Sequence, residues 1–331
     1  MKKKQIWGIV AVCFILIFTG IAGVVTASFT DTMTSSFGKN LVTELQTDSY
    51  YQSDEPYIGI LKIEGTIQDT SSSPSFMLGD TYDHKATLAA IDEMAASDLN
   101  EGIFLFLNSG GGTVYESDEV YLKLMEYKEL TGRPVWAYLG ATACSGAYYI
   151  ACAADEIVAN RNTWTGSIGV IYQMLNMQSL YEKIGIEEIT IASGDNKSMG
   201  SAGSEFTQEQ IDIMQTMIDE CYGQFVGIVA ASRAMDEADV RELADGRIYS
   251  AQQALDNGLI DTILGYEDAK ETMLTDCGLE AIYLEQDPPE EDFLSSILSF
   301  YGLITSRQSG GNNVQQYAVR ELREGLWYYA E

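Results

Sequence analysis

The sequence holds a single histidine, His84, in 331 residues. A Ser-His-Asp triad must use His84 or not exist. Standing beside Lys85, it reads as a solvent-exposed loop residue. With no second histidine, and no CxxC pair among Cys13, Cys144, Cys152, Cys221 and Cys277, a zinc site lacks a ligand set. The cysteines read instead as small buried apolar residues. Basic residues are also scarce: 19 Lys+Arg face 49 Asp+Glu, a net charge of -30. Such a chain repels phosphate backbones, which argues against nucleic-acid partners, and it presents a solvated acidic surface. The glycines at Gly110 lack the Lys-Ser/Thr of a phosphate-binding loop and do not fit GxGxxG, so no nucleotide cofactor is expected. No internal repeat is visible.

What is present begins at the N-terminus. Lys2, Lys3 and Lys4 precede an uncharged apolar run from Ile6 to Ala27, and about 20 apolar residues span a bilayer as a helix. Residues 1–28 are therefore expected to be a cytoplasmic lysine tip and a transmembrane anchor, with the acidic bulk outside. The competing reading is a cleaved signal peptide ending at Val25-Thr26-Ala27; the length of the run favours the anchor.

Residues 29–54, rich in Ser, Thr and Asp, read as a linker, and a folded domain is expected over 55–286. Tyr57–Ile63 reads as a first strand and Lys85–Ala96 as a helix. The continuous apolar run Ile103–Leu107 suits a strand buried on both faces. It ends in Asn108-Ser109-Gly110-Gly111-Gly112. A helix over about 116–130 stops at Gly132, with Pro134 beyond. Val135–Leu139 and Glu156–Ala159 read as further strands, and so does Ile189-Thr190-Ile191. Alternating strands and helices imply an α/β fold with crossover connections. Thr207 with Gln210 and Ser250 with Gln253 read as capping boxes. After the first box, Ile211, Met214, Ile218, Phe225 and Val229 form one apolar helix face. Asp287-Pro288-Pro289 breaks the fold, leaving 287–331 as an acidic, partly apolar tail that could dock on the domain, the membrane or a neighbouring subunit.

Ser145 lies between small residues, Cys144 and Gly146, at an expected strand-to-helix junction. Free N–H groups and the positive end of the helix dipole suit an oxyanion there. Local sequence alone leaves open whether Ser145 reacts or only caps the helix. A reactive serine needs a base, and without histidine a lysine is the other solution. A lysine acts as a base only once it has lost its proton, which burial favours. Lys183, Lys123 and Lys128 read as surface residues on helices. Lys197, in Ser193-Gly194-Asp195-Asn196-Lys197-Ser198-Met199, reads either as that base or as an exposed loop lysine.

Five segments taken together resemble the signal peptide peptidase A / protease IV family of serine peptidases. They are Asn108 to Gly112, Cys144-Ser145-Gly146-Ala147-Tyr148-Tyr149, Thr165-Gly166-Ser167-Ile168-Gly169-Val170, Gly194 to Met199, and Gly246-Arg247-Ile248-Tyr249-Ser250. They follow the family's order across about residues 55 to 265. The resemblance implies a crotonase-like (Clp-protease-like) fold and a Ser-Lys dyad. Ser145 would be the nucleophile, Lys197 the general base and later the acid, and Ser167 the residue that orients the lysine. Gly112 would donate its N–H to the oxyanion, helped by the amide at or beside Ser145, with Gly146 as candidate. Gly111 and Cys144 would border the substrate. Where the family usually has proline this chain has Gly110, which loosens the oxyanion loop.

By the same resemblance the substrates would be remnant signal peptides, the location the bacterial cell membrane with the catalytic domain outside, and the assembly a ring in which neighbouring copies each supply half of a dyad. Three alternatives stand beside this reading. A catalytically idle scaffold of the same fold would have little reason to keep both Ser145 and Lys197. A crotonase-type acyl-thioester enzyme fits poorly with an outward-facing domain. A Clp-type triad wants a histidine after the serine, and none follows Ser145.

Overall fold

The computed structural model describes residues 50–69 and 82–286 and the backbone of 327–329. The expected anchor at 6–27, most of the linker and nearly all of the tail lie outside the described residues.

β1 (Tyr57–Glu64), α1 (His84–Ala96), β2 (Asn100–Ser109), β3 (Gly111–Thr113), α2 (Val114–Thr131), β4 (Val135–Cys144), α3 (Gly146–Ala151), β5 (Glu156–Ala159) and β6 (Trp164–Gly166) follow in chain order. Then come α4 (Gln178–Ile184), α5 (Gln208–Arg233), α6 (Glu237–Leu243), β7 (Ile248–Ser250), α7 (Ala251–Asp256), β8 (Thr262–Ile263), α8 (Tyr266–Cys277), β9 (Ile282–Glu285) and β10 (Trp327–Tyr329). The main sheet runs β7-β6-β4-β2-β1-β9, with β5 and β8 attached beside β4. Every pairing in it is parallel except β6 with β7. A parallel-rich sheet with crossover helices fits the α/β, Clp-protease-like architecture expected from the sequence.

Side-chain alternation sorts the central strands onto two faces. Leu61, Ile63, Ile103, Leu105, Leu107, Val135, Ala137 and Leu139 join the larger core, with Ile91 and Met94 of α1, Leu124 of α2, the buried α3, and Phe225 and Val229 of α5. Ile58, Ile60, Phe104, Trp136, Tyr138 and Val158 point the other way, against Ala269 and Met273 of α8. The apolar run of β2 is thus buried on both faces, as its composition implies. α2 stops where expected, at Gly132 in the left-handed conformation (φ 68°).

β4 forks. Its first half, Trp136–Leu139, pairs with β5, and its last residues, Thr142–Cys144, pair with β6. Gly140 lies between the two sets, where an added Cβ would sit 3.2 Å from Leu107 O and Asn108 Cβ. The fork delivers the end of β4, and so Ser145, against the Gly166–Ser167 turn.

Three expectations differ. His84 is not an exposed loop residue: it opens α1, is buried, and its Nδ1 lies 2.7 Å from Tyr82 Oη and its Nε2 2.8 Å from Glu119. Asp83 caps the helix, its carboxylate accepting from Ala86 N–H, and turns His84 and Thr87 inward while Asp83 and Lys85 stay exposed. Ile189–Ile191 forms no strand; Ile189 and Ile191 are 76% and 96% exposed. A β-rich composition cannot hold a strand that finds no partner edge. The apolar face of α5 is buried only in its second half, at Phe225, Val226 and Val229, while Ile211 stays exposed. Both capping boxes form as read. Cys144, Cys152, Cys221 and Cys277 are free thiols.

Candidate active site

Ser145 joins β4 to α3 with φ 53° and ψ −118°. A non-glycine residue in this region costs on the order of 1–3 kcal/mol, and such strain concentrates at functional sites. Neighbouring bonds hold it there. The Ser145 N–H donates to Gly166 O at 2.8 Å, and the Ser145 carbonyl accepts from Tyr149 N–H at 2.9 Å. The side chain is wholly buried, and its hydroxyl oxygen has no hydrogen-bond partner among the described residues. A serine serving only as a helix cap would accept from an N–H of the first turn; Ser145 makes no such bond.

Gly112 sits in β3, parallel to Ile67. Ile67 N–H donates to Gly111 O at 3.0 Å and Thr113 N–H to Ile67 O at 2.9 Å. Strand groups alternate from edge to edge, so the Gly112 N–H faces away from Ile67. A Cβ on Gly112 would fall 1.9 Å from Ile67 O, so no other residue fits. Gly111, at φ 109°, is braced by Ser109, whose Oγ accepts from Gly111 N–H at 3.0 Å. That brace acts beside Gly110, in the loop the sequence reads as loosened. Gly146 opens α3, where N–H groups lack intrahelical partners, and a Cβ on it would lie 3.3 Å from Gly112 N. The Gly112 amide thus lies close to Gly146, the residue after Ser145. Ser167 (φ 49°) directly follows Gly166, the acceptor of the Ser145 N–H, and gives its own N–H to Arg247 O at 2.8 Å.

With this geometry in place, comparison with known proteins is informative. Residues 128–280 match the model of peptidase family S49. The chain is 38% identical to a putative signal peptide peptidase SppA of Enterococcus faecium over 245 residues, covering 72% of this chain and 70% of the relative. It is 42% identical to a putative protease of Synechocystis over 207 residues, 62% of this chain and 74% of the relative. It is 33% identical to Protease 4 of Haemophilus influenzae over 213 residues, 64% of this chain but only 33% of that longer relative.

The chain belongs to peptidase family S49. Its S49 relatives place it among the serine proteases, and the family resemblance read from the five segments is borne out.

Of the residues singled out from sequence, the S49 domain brings Ser145, Gly146, Gly111, Gly112 and Ser167 together within one chain. Cys144 is buried at the end of β4, its thiol donating to Trp164 O at 3.5 Å; burial pushes that thiol up to about 12. Lys197 is not brought to Ser145 within a single copy. It is exposed, in a run of turns where its N–H donates to Gly194 O at 3.1 Å. That run is tied to the start of α5 by Gln210 Nε2, which donates to Asp195 O at 3.3 Å. The far part of α5 is tied to α3 instead: Gln224 Nε2 donates to Tyr149 Oη at 2.6 Å and to Asp118 at 3.0 Å. Gln210 and Gln224 are about 21 Å apart along a helix rising 1.5 Å per residue, so the Lys197 turn and α3 are anchored to different parts of α5. The other lysines on the helices named from sequence behave as surface residues: Lys123 pairs with Asp92, Lys128 with Asp155, and Lys183 is exposed.

Sequence reasoning missed two residues beside the site. Glu116 bridges the Thr113 hydroxyl and the Asp69 N–H. Ser117 is wholly buried beneath Gly146. Glu116 carries a local signal, since Thr113 and Glu116 have capping-box spacing. Ser117 carries none, because its neighbour Gly146 is remote in sequence.

Proposed function

We propose that this chain is a membrane-anchored serine endopeptidase that degrades remnant signal peptides with a Ser145–Lys197 dyad. The observation that carries the reading is Ser145 itself: a strained, buried serine whose hydroxyl has no partner among the described residues, followed by Gly146, which lies close to the Gly112 amide.

In this mechanism the Lys197 amine takes the proton from Ser145 Oγ as that oxygen attacks the scissile carbonyl carbon. The carbonyl oxygen gains the negative charge and accepts N–H groups from Gly112 and Gly146. Lys197 then protonates the departing amine, and water releases the acyl group by the same steps in reverse order. Ser167 would orient the lysine amine. Gly111 and Cys144 would border the peptide.

Lys197 reaches Ser145 only from another copy, and we take the assembly to be a ring of such copies. Two features support that. Lys197 is exposed on a turn anchored to the start of α5, whereas Ser145 is buried beside α3, which bonds to the far part of α5. The same stretch of chain also exposes Leu175, Ile184, Ile189 and Ile191, and contiguous exposed apolar surface marks contact sites. For the substrate, the edge of β3 facing away from Ile67 offers backbone groups to an extended peptide, although within this chain β10 lies antiparallel along it, with Tyr328 opposite Gly112. The membrane anchor and the extracytoplasmic location rest on the sequence at 1–28. No helix among the described residues is long and apolar enough to cross a membrane.

The test is hydrolysis of apolar, signal-like peptides by the chain and by Ser145→Ala and Lys197→Ala. Cleavage by the parent, lost in both folded variants, is the expected result. Retained cleavage in Lys197→Ala would assign the base elsewhere.

A further inference from the structure

Ser117 lies in the first turn of α2, four residues after Thr113, and is wholly buried. Its hydroxyl donates to the Thr113 carbonyl at 2.8 Å. A serine hydroxyl has one proton, and here it is committed, so Ser117 itself moves no proton in the reaction. What it touches is more telling. A Cβ built on Gly146 would come within 2.4 Å of Ser117 Oγ, and within 3.3 Å of both Ser117 Cβ and Gly112 N. The Ser117 hydroxyl thus occupies the space that any side chain at 146 would need. The same oxygen is bonded to the residue that follows Gly112.

We propose that Ser117 is a positioning residue of the oxyanion hole, setting the separation of the Gly112 and Gly146 amides. This rests on the reading of Ser145 as nucleophile. Two amides serve one oxygen only when each nitrogen lies about 2.7–3.1 Å from it. Their spacing must therefore be held closely. β3 and α3 are separate elements joined through α2 and β4, and Ser117 touches both, through its bond to Thr113 and its close approach to Gly146. Protein interiors are close-packed, so removing or enlarging one atom there shifts its neighbours.

Ser117→Ala removes only the oxygen. Alanine is the better helix former, and a serine bonding back to the residue four before it slightly weakens a helix. The fold is therefore expected to hold while the hole loosens. In the full chain, Ser117→Ala should melt within a few degrees of the parent and keep KM within about twofold. Its kcat should fall about ten- to hundredfold, less than or near the loss of a whole oxyanion donor. Affinity for a peptide aldehyde, whose adduct with Ser145 places an oxygen in the hole, should fall by the same factor. Ser117→Cys, with a larger atom at the same place, should show the same paired loss and serves if the alanine variant unfolds. Unchanged kcat in a folded variant, or a kcat loss with unchanged aldehyde affinity, overturns the proposal. A parent chain that neither cleaves peptides nor binds the aldehyde overturns the Ser145 reading along with it.

Discussion

The N–H of Ser145 donates to the carbonyl of Gly166 at 2.8 Å. This bond spends the serine's own amide, so in the proposed mechanism the Gly146 amide is the partner of Gly112. It also makes Gly166 a structural determinant of the site. Gly166 has φ 85°, and a Cβ on it would lie 2.6 Å from Tyr249 Cδ2. Gly166→Ala is expected to cost about 1–3 kcal/mol of stability and to lower kcat at least tenfold. A urea melt alongside peptide kinetics checks both, and full activity would show that the Ser145 turn does not depend on this bond.

If Lys197 serves a neighbouring copy, two dead variants should complement each other. Mixing Ser145→Ala with Lys197→Ala chains, after subunit exchange, should restore a fraction of parental activity. Sites pairing an intact Ser145 with an intact Lys197 then form again. No recovery in mixed assemblies of normal size would place the base in the same chain.

β10 runs along β3, the edge proposed to receive substrate. A chain ending before Trp327 leaves that edge open. Its KM for a peptide should fall, by about threefold or more, with kcat little changed. An unchanged KM would mean that substrate and β10 do not compete.

Stability should decline in alkali. Burial raises the thiols of Cys144 and Cys152 from 9.0 to about 12, and burial also raises the phenols of Tyr51 and Tyr82 from 10.0. Each group is neutral when protonated, and the folded state holds its proton more tightly than the unfolded chain. Their contribution is complete below about pH 9, the unfolded thiol value, and is lost as pH climbs toward the folded values. Urea midpoints should be level from pH 7 to 8.5 and fall steadily from 9 to 11. A level midpoint through pH 11 would show that these groups ionise without unfolding.

Much of the sheet was legible in sequence because parallel strands buried on both faces must be apolar throughout. The run 103–107 could hardly be anything else. The two capping boxes and the Gly132 stop were legible for a similar reason: they satisfy backbone groups within four residues and need no tertiary partner. His84 and Ile189–Ile191 were misread because their environments are set by distant chain. Glu119 and Tyr82 bury the histidine, while no strand among the described residues pairs with the isoleucines.

The candidate site divides in the same way. The sequence by itself determined the α/β class, the family, and the small-residue setting of Ser145, since those depend on residue types in local order. Only the tertiary structure decided that the Ser145 amide is taken by Gly166, that Ser117 lies against Gly146, and that the Lys197 turn and α3 are anchored to different parts of α5. Such relations are distances between remote segments, and they exist only once the sheet and its helices have packed.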